Sequence, residues 1–112
     1  MKSDLSAKHC ESCEGIGMPL TPEQIIHLMP QLAEGWHACA DSTKIKKSFS
    51  FKNFYETMAF ANAIGWIANM ENHHPDLELG YNYCHVCFTT HALQGLSHND
   101  FICAAKIDKL MI

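Results

Sequence analysis

The feature that most constrains the fold is a change of period near residue 52. Over residues 44–51, Ile45, Phe49 and Phe51 fall on one side, and Lys44, Lys46, Ser48 and Ser50 on the other. A period of two with one apolar side describes a half-buried antiparallel strand. From Asn53, a suitable N-cap, the spacing becomes helical and runs to about Met70. Phe54, Met58, Ala61 and Ala68 fall on one face of this helix, and Phe60, Ile64 and Ile67 on another. A single core stripe would be narrower. The helix is therefore expected to pack on the sheet with one face and on another subunit with the other.

The remaining elements fit around this pair. Thr21-Pro22-Glu23 opens a helix, with Thr as N-cap and Pro at the first helical position. Ile25, Leu28, Met29 and Leu32 continue it, Pro30 shortens or kinks it, and Gly35 ends it. Residues 36–40 read as a short strand that turns at Asp41-Ser42-Thr43 into a hairpin over 36–51. Residues 81–90 alternate as another strand, broken at Gly95. Ser97-His98-Asn99-Asp100 resembles a capping box with Asp in place of Glu, opening a last helix over about 100–110. Helices on one side of an antiparallel sheet make an α+β fold.

At 112 residues the chain is expected to be one domain over 21–112, after a loosely ordered leader over 1–20. The net charge of −4 argues against nucleic-acid binding, which needs a basic face. Lys44, Lys46, Lys47 and Lys52 read as the wet face of a strand. No apolar run approaches the ~20 residues of a membrane span, and the N-terminus lacks the apolar core of a signal peptide. A cytoplasmic protein with reduced cysteines is expected.

The chemistry concentrates in Glu71-Asn72-His73-His74-Pro75-Asp76 and in Thr90-His91. Imidazole titrates near neutral pH, so three such groups in two short loops point to acid–base work. Pro75 disfavours helical geometry at His74 and turns the chain. His91 falls where a strand ends, at the rim of the sheet. A flat heterocycle fits between the two loops, held by His74 and by backbone groups of Thr90, His91, Ala92 and Leu93.

Metal readings compete. Cys10-Glu11-Ser12-Cys13, beside His9, and Cys84-His85-Val86-Cys87 both have zinc-ligand spacing. Residues three apart on a regular strand face opposite ways, so Cys84 and Cys87 do not share an ion. Cys39, Cys84 and Cys103 read as small core residues. A catalytic metal at His73, His74 and His91, helped by Glu71 or Asp76, is disfavoured because adjacent His side chains in an extended segment diverge. His9, His27, His37, His85 and His98 read as surface or packed residues, with His85 sharing a strand face with Tyr81 and Tyr83.

Taken together, Trp36, Phe49, Phe51, the helix from Phe54 to Ala61, Asn72-His73-His74-Pro75-Asp76, Tyr81, Thr90-His91, Gly95-Leu96-Ser97 and Asp100 resemble the pterin-4a-carbinolamine dehydratases. The resemblance spans residues 21–110, and a Cys-x-x-Cys leader is familiar from bacterial members. With it, the expected architecture is α+β, a four-stranded antiparallel sheet with helices packed on one face. The resemblance implies a hydro-lyase that needs no cofactor. It would remove water from the 4a-hydroxytetrahydropterin left by aromatic amino acid hydroxylases and return quinonoid dihydropterin to the recycling of tetrahydrobiopterin. It implies His73 and His91 as the acid–base pair and His74 as a pterin-orienting residue or second acid. Pro75, Thr90, Ala92, Leu93 and Asp100 would border the substrate. It also implies a homotetramer, a dimer of dimers with the long helices at its centre, and a functional link to a hydroxylase. The chain departs from the family pattern at Asn69 and Ala92, where members commonly carry acids. The rival classes are a non-catalytic dimerisation or coactivator-type module, as relatives serve a homeodomain transcription factor in animals, and a small metal-binding protein.

Overall fold

The structure, a computed structural model, describes residues 5–12 and 17–111. Among the described residues there are three α-helices, α1 Pro22–Leu28, α2 Phe54–Glu71 and α3 His98–Asp108. Four strands, β1 His37–Ala38, β2 Ile45–Ser50, β3 Asp76–Leu79 and β4 Tyr83–Phe88, form one antiparallel sheet in the order β1-β2-β4-β3. Short 3-10 turns lie at Leu5–Ala7, Met29–Gln31, His91–Leu93 and Lys109–Met111. This is the expected α+β fold.

The alternation in β2 sorts its residues as parity demands. Ile45 and Phe49 are buried, while Lys46, Ser48 and Ser50 are exposed. In β4, Cys84, Val86 and Phe88 are buried, and Tyr83 and His85 are exposed. The two strands pair Ile45 with Phe88 and Phe49 with Cys84, so their apolar sides share a face. Phe60 and Ile64 of α2 and Phe101, Ile102 and Ile107 of α3 complete the core over that face. Phe60 touches Phe49 and Phe51, with ring centroids 4.6 and 4.9 Å away.

Several expectations are corrected. Lys47 is on the inner side of β2, not the wet one: its Nζ lies 3.0 Å from Asp108 Oδ1, and the same carboxylate accepts from Trp36 Nε1. The buried stripe of α2 is Thr57, Phe60, Ile64 and Ala68, at intervals of three and four. Ala68 therefore belongs to the core face, and Ile67 packs against the core from its flank. The apolar residues left outside are Phe54, Tyr55, Trp66 and Met70. Cys39 is half-buried at the hairpin turn, where its thiol donates to Asp41 Oδ1. Strand β3 was not apparent in the sequence. It is an edge strand exposed along its whole length, so burial imposes no alternation on it.

Candidate active site

The helix ends, rather than the strands, position the imidazoles. Helix α2 stops at Asn72, which adopts the left-handed conformation at φ 52°. Asn tolerates this geometry better than most residues. The His73 N–H then returns to the Ala68 carbonyl at 3.1 Å. This turn drives the His73 side chain inward, where it is buried and lies parallel to Phe88, with ring centroids 6.0 Å apart. The next residue diverges as expected: His74 is exposed, its Nε2 3.3 Å from Asn69 Oδ1.

Helix α3 supplies the partner. Ser97 caps it, and Asp100 closes the capping box by accepting the Ser97 N–H at 2.9 Å. The same carboxylate faces His73, with Oδ1 2.6 Å from Nε2. Its Oδ2 also accepts the Thr90 hydroxyl at 2.8 Å. With that proton committed, the Thr90–Ser97 hydroxyl contact of 2.8 Å runs from Ser97 to Thr90. Asp100 is fully buried, and each of its three partners donates to it. With the carboxylate as acceptor, Nε2 is the nitrogen of His73 that carries the proton, and Nδ1 is left as an acceptor.

His73 lines a cleft of about 860 Å³ whose other walls include Met70, Glu71, Asn72, Ala92 and Asn99. The leader forms a further wall through His9, Cys10, Glu11 and Ser12. It is held there by side chains from two helices. Glu71 accepts the Cys10 N–H at 2.7 Å and contacts His9 Nδ1 at 2.9 Å. Asn99 exchanges two hydrogen bonds with the backbone of Glu11, 3.1 and 2.7 Å long. Burial pushes the Glu71 carboxyl upward, but the Cys10 N–H, His9 and Lys106 outweigh it and hold the group below its ordinary value. Leu5 is buried, and Lys106 donates to the Ser6 carbonyl at 2.8 Å.

Of the expected site residues, the structure joins His73, Thr90 and Asp100 in one hydrogen-bonded cluster and places Ala92 on the cleft wall with His73. His74, Pro75, His91 and Leu93 are not among the residues lining that cleft. His91 is exposed on the 3-10 turn beside Ala92. Sequence reasoning missed the leader wall, because its contacts with Glu71 and Asn99 join residues about 60 and 90 positions apart. His9 does have a partner, Glu71. Cys84 and Cys87 face opposite sides of β4, the first buried and the second half-buried. Cys13 lies outside the described residues. Among those described, no three His, Cys, Asp or Glu side chains converge as metal ligands, and no helix is long and apolar enough to cross a membrane.

The α+β domain thus holds a buried histidine–carboxylate pair, with the histidine on the wall of a cleft. Similarity to known proteins identifies its family. The sequence pattern of the Pterin 4 alpha carbinolamine dehydratase family matches residues 18–110, and the chain belongs to this family of hydro-lyases. A Legionella pneumophila (strain Lens) protein provisionally named pterin-4-alpha-carbinolamine dehydratase is 72% identical over 112 residues, covering 100% of this chain and 99% of that one. A Nitrosospira multiformis protein with the same provisional name is 57% identical, covering 96% of this chain and 92% of its own. Among solved structures, a transcriptional coactivator/pterin dehydratase from Brucella melitensis superposes with a TM-score of 0.78 at 27% identity, over 82% of this chain and 97% of that one. A pterin dehydratase-like RuBisCO assembly factor of the alpha-carboxysome shares the fold, with a TM-score of 0.60 at 22% identity over 69% of this chain and 89% of its own.

Proposed function

We propose that the protein is a 4a-hydroxytetrahydropterin dehydratase that eliminates water by histidine acid–base catalysis. The observation that carries this reading is His73 on the cleft wall, hydrogen-bonded from behind to the fully buried Asp100. The reaction takes the proton from N5 of the pterin and releases hydroxide from C4a as water. Hydroxide is a poor leaving group and needs an acid; the N5 proton needs a base. A neutral His73 with Nε2–H held by Asp100 offers Nδ1 as that base. The imidazolium then forms against a carboxylate, which stabilises it without itself being protonated. His91 and His74 are exposed to water, a position that suits the acid that protonates the departing hydroxyl. His91 adjoins the cleft-lining Ala92, so a pterin reaching out of the cleft meets it. Each imidazole contributes on the order of 10²–10⁴ in rate.

Pro75 and Leu93 shape the rim in this reading, and the buried Thr90 holds Asp100 in place behind His73. The product is quinonoid dihydropterin, and the protein serves pterin recycling beside an aromatic amino acid hydroxylase in the cytoplasm. A homotetramer is proposed with it. The outward Phe54, Tyr55, Trp66 and Met70 of α2 and the open edge of β3 are surfaces that a second copy would cover.

The test is decay of chemically made 4a-hydroxytetrahydropterin with and without the protein. Faster decay, lost in His73→Ala and unaffected by exhaustive chelation, is expected. An uncatalysed rate from folded protein would overturn the reading in favour of a non-catalytic binding module, and loss of activity on chelation would favour a metal-dependent site.

A further inference from the structure

Two thiols that the acid–base reading leaves unused meet beside the cleft. Cys103 lies on α3 and is fully buried. Cys10 lies on the leader, half-buried, where the chain has no regular secondary structure. Their sulfurs are 3.5 Å apart although 93 positions separate the residues. A disulfide needs about 2.05 Å. Only side-chain rotation and a small shift of the leader are required to close that gap, because the leader at this point is held by hydrogen bonds rather than by a helix or sheet ladder. Three of those bonds come from Glu71 and Asn99.

We propose that Cys10 and Cys103 form a peroxide-responsive dithiol whose disulfide fastens the leader onto α3 and fixes one wall of the cleft. The proposal rests on the sulfur–sulfur approach and on the position of Cys10 between His9 and Glu11 in that wall. Cys10 is the accessible member and attacks first. Its thiolate displaces hydroxide from hydrogen peroxide and becomes a sulfenic acid, while the hydroxide takes up the thiol proton as water. The Cys103 sulfur then attacks the Cys10 sulfur. The sulfenic hydroxyl leaves with the Cys103 proton as a second water, and the S–S bond forms. One peroxide is reduced and two thiols are oxidised, so the protein loses two hydrogens. The facing Cys10 thiol, together with burial, pushes the Cys103 thiol far above its ordinary value. Cys103 is therefore a poor first attacker, and its complete burial keeps it from peroxide, so it meets only the neighbouring Cys10 sulfur and resolves the sulfenic acid there. Other thiols are less suited: Cys84 is buried on the inner face of β4, where burial likewise raises it.

The test uses the full chain, reduced and then treated with hydrogen peroxide. Intact mass should fall by two hydrogens, and peptide mapping should find Cys10 joined to Cys103. Trypsin cleavage after the exposed Lys8 should slow by at least about tenfold, since cleavage there requires the leader to lift. Dithiothreitol should restore it. Cys10→Ser, at a half-buried site on the leader, should abolish the bridge with the fold intact; Cys103→Ala should do the same, and Cys13→Ala should retain it. A bridge between Cys10 and Cys13 instead, thiols that remain free, or unchanged cleavage of the bridged form would each overturn the proposal. None of these readouts depends on the dehydration reaction, so failure here is distinguishable from failure of the proposed activity.

Discussion

His73 and Asp100 are joined by a 2.6 Å hydrogen bond from Nε2 to Oδ1 although they are 27 positions apart in the chain. The contact couples the end of α2 to the first turn of α3. One carboxylate therefore serves two purposes, closing the helix cap through the Ser97 N–H and orienting the imidazole.

This coupling makes a kinetic prediction. His73→Ala should lower kcat by at least about tenfold with the fold preserved. Asp100→Asn should also lower kcat at least about tenfold, because an amide neither favours the imidazolium nor enforces the Nε2–H form. Its carboxamide would also turn a donor toward Thr90, Ser97 or His73, at a cost of about 1–3 kcal/mol. Turnover with the synthetic carbinolamine, read beside a denaturation midpoint, separates the two effects. Wild-type kcat in His73→Ala would remove the residue from the mechanism.

The partnership was only half legible in the sequence. Ser97 and Asp100 could be read as a cap because capping is local, with the partners three residues apart. That Asp100 also reaches His73 depends on how α2 and α3 pack, which no local pattern encodes. The same distinction runs through the fold. Strand β2 was plain because one of its faces is buried. Strand β3 was hidden because Leu77 and Leu79, on its inner side, remain 36% and 40% exposed. In α2 the existence of two apolar faces was readable, but Ala68 was grouped with the outer residues and Thr57 was overlooked, since Ala and Thr carry little signal; both proved buried. The leader wall was invisible for the same reason as the His73–Asp100 contact.

The leader should respond to acid. Glu71 is held below its ordinary value of 4.5 by the Cys10 N–H, His9 and Lys106, against the upward push of burial. A carboxyl depressed in the folded state stabilises it fully above the unfolded value, and that contribution is lost as pH falls through the folded one. The chemical shift of the Cys10 amide proton should therefore follow Glu71 protonation with a midpoint below 4.5 in NMR spectra, and Glu71→Gln should abolish that pH dependence. A midpoint at or above 4.5 would show that the leader does not sit on Glu71 in solution.

A second structural carboxylate is predicted to matter for stability alone. Asp108 accepts from Trp36 Nε1, from the Ala33 N–H and from Lys47 Nζ, at about the same 3.0 Å in each case. Asp108→Ala leaves the indole and a half-buried ammonium without this acceptor, at a cost of about 1–3 kcal/mol. The denaturation midpoint should fall accordingly, with kcat unchanged at a temperature where the variant is folded. An unaltered midpoint would mean that water replaces the carboxylate without loss.

The last prediction concerns assembly, and the structure selects the residue that tests it. Ile67 flanks the core, so a charge there would damage the monomer itself. Trp66 is 71% exposed and Tyr55 89%, on the side of α2 turned away from the sheet. Large apolar side chains left this open mark a surface that another molecule covers. At one end of the sheet, β3 also offers unpaired backbone groups along Asp76–Leu79, an edge that a second copy can extend. Two distinct surfaces of this kind would generate a dimer of dimers with closed symmetry. Sedimentation at micromolar concentration should show a tetramer, and Trp66→Glu should reduce it to a smaller species with the circular dichroism of the wild type. A wild-type monomer under these conditions would show that neither the outer face of α2 nor the β3 edge is an interface.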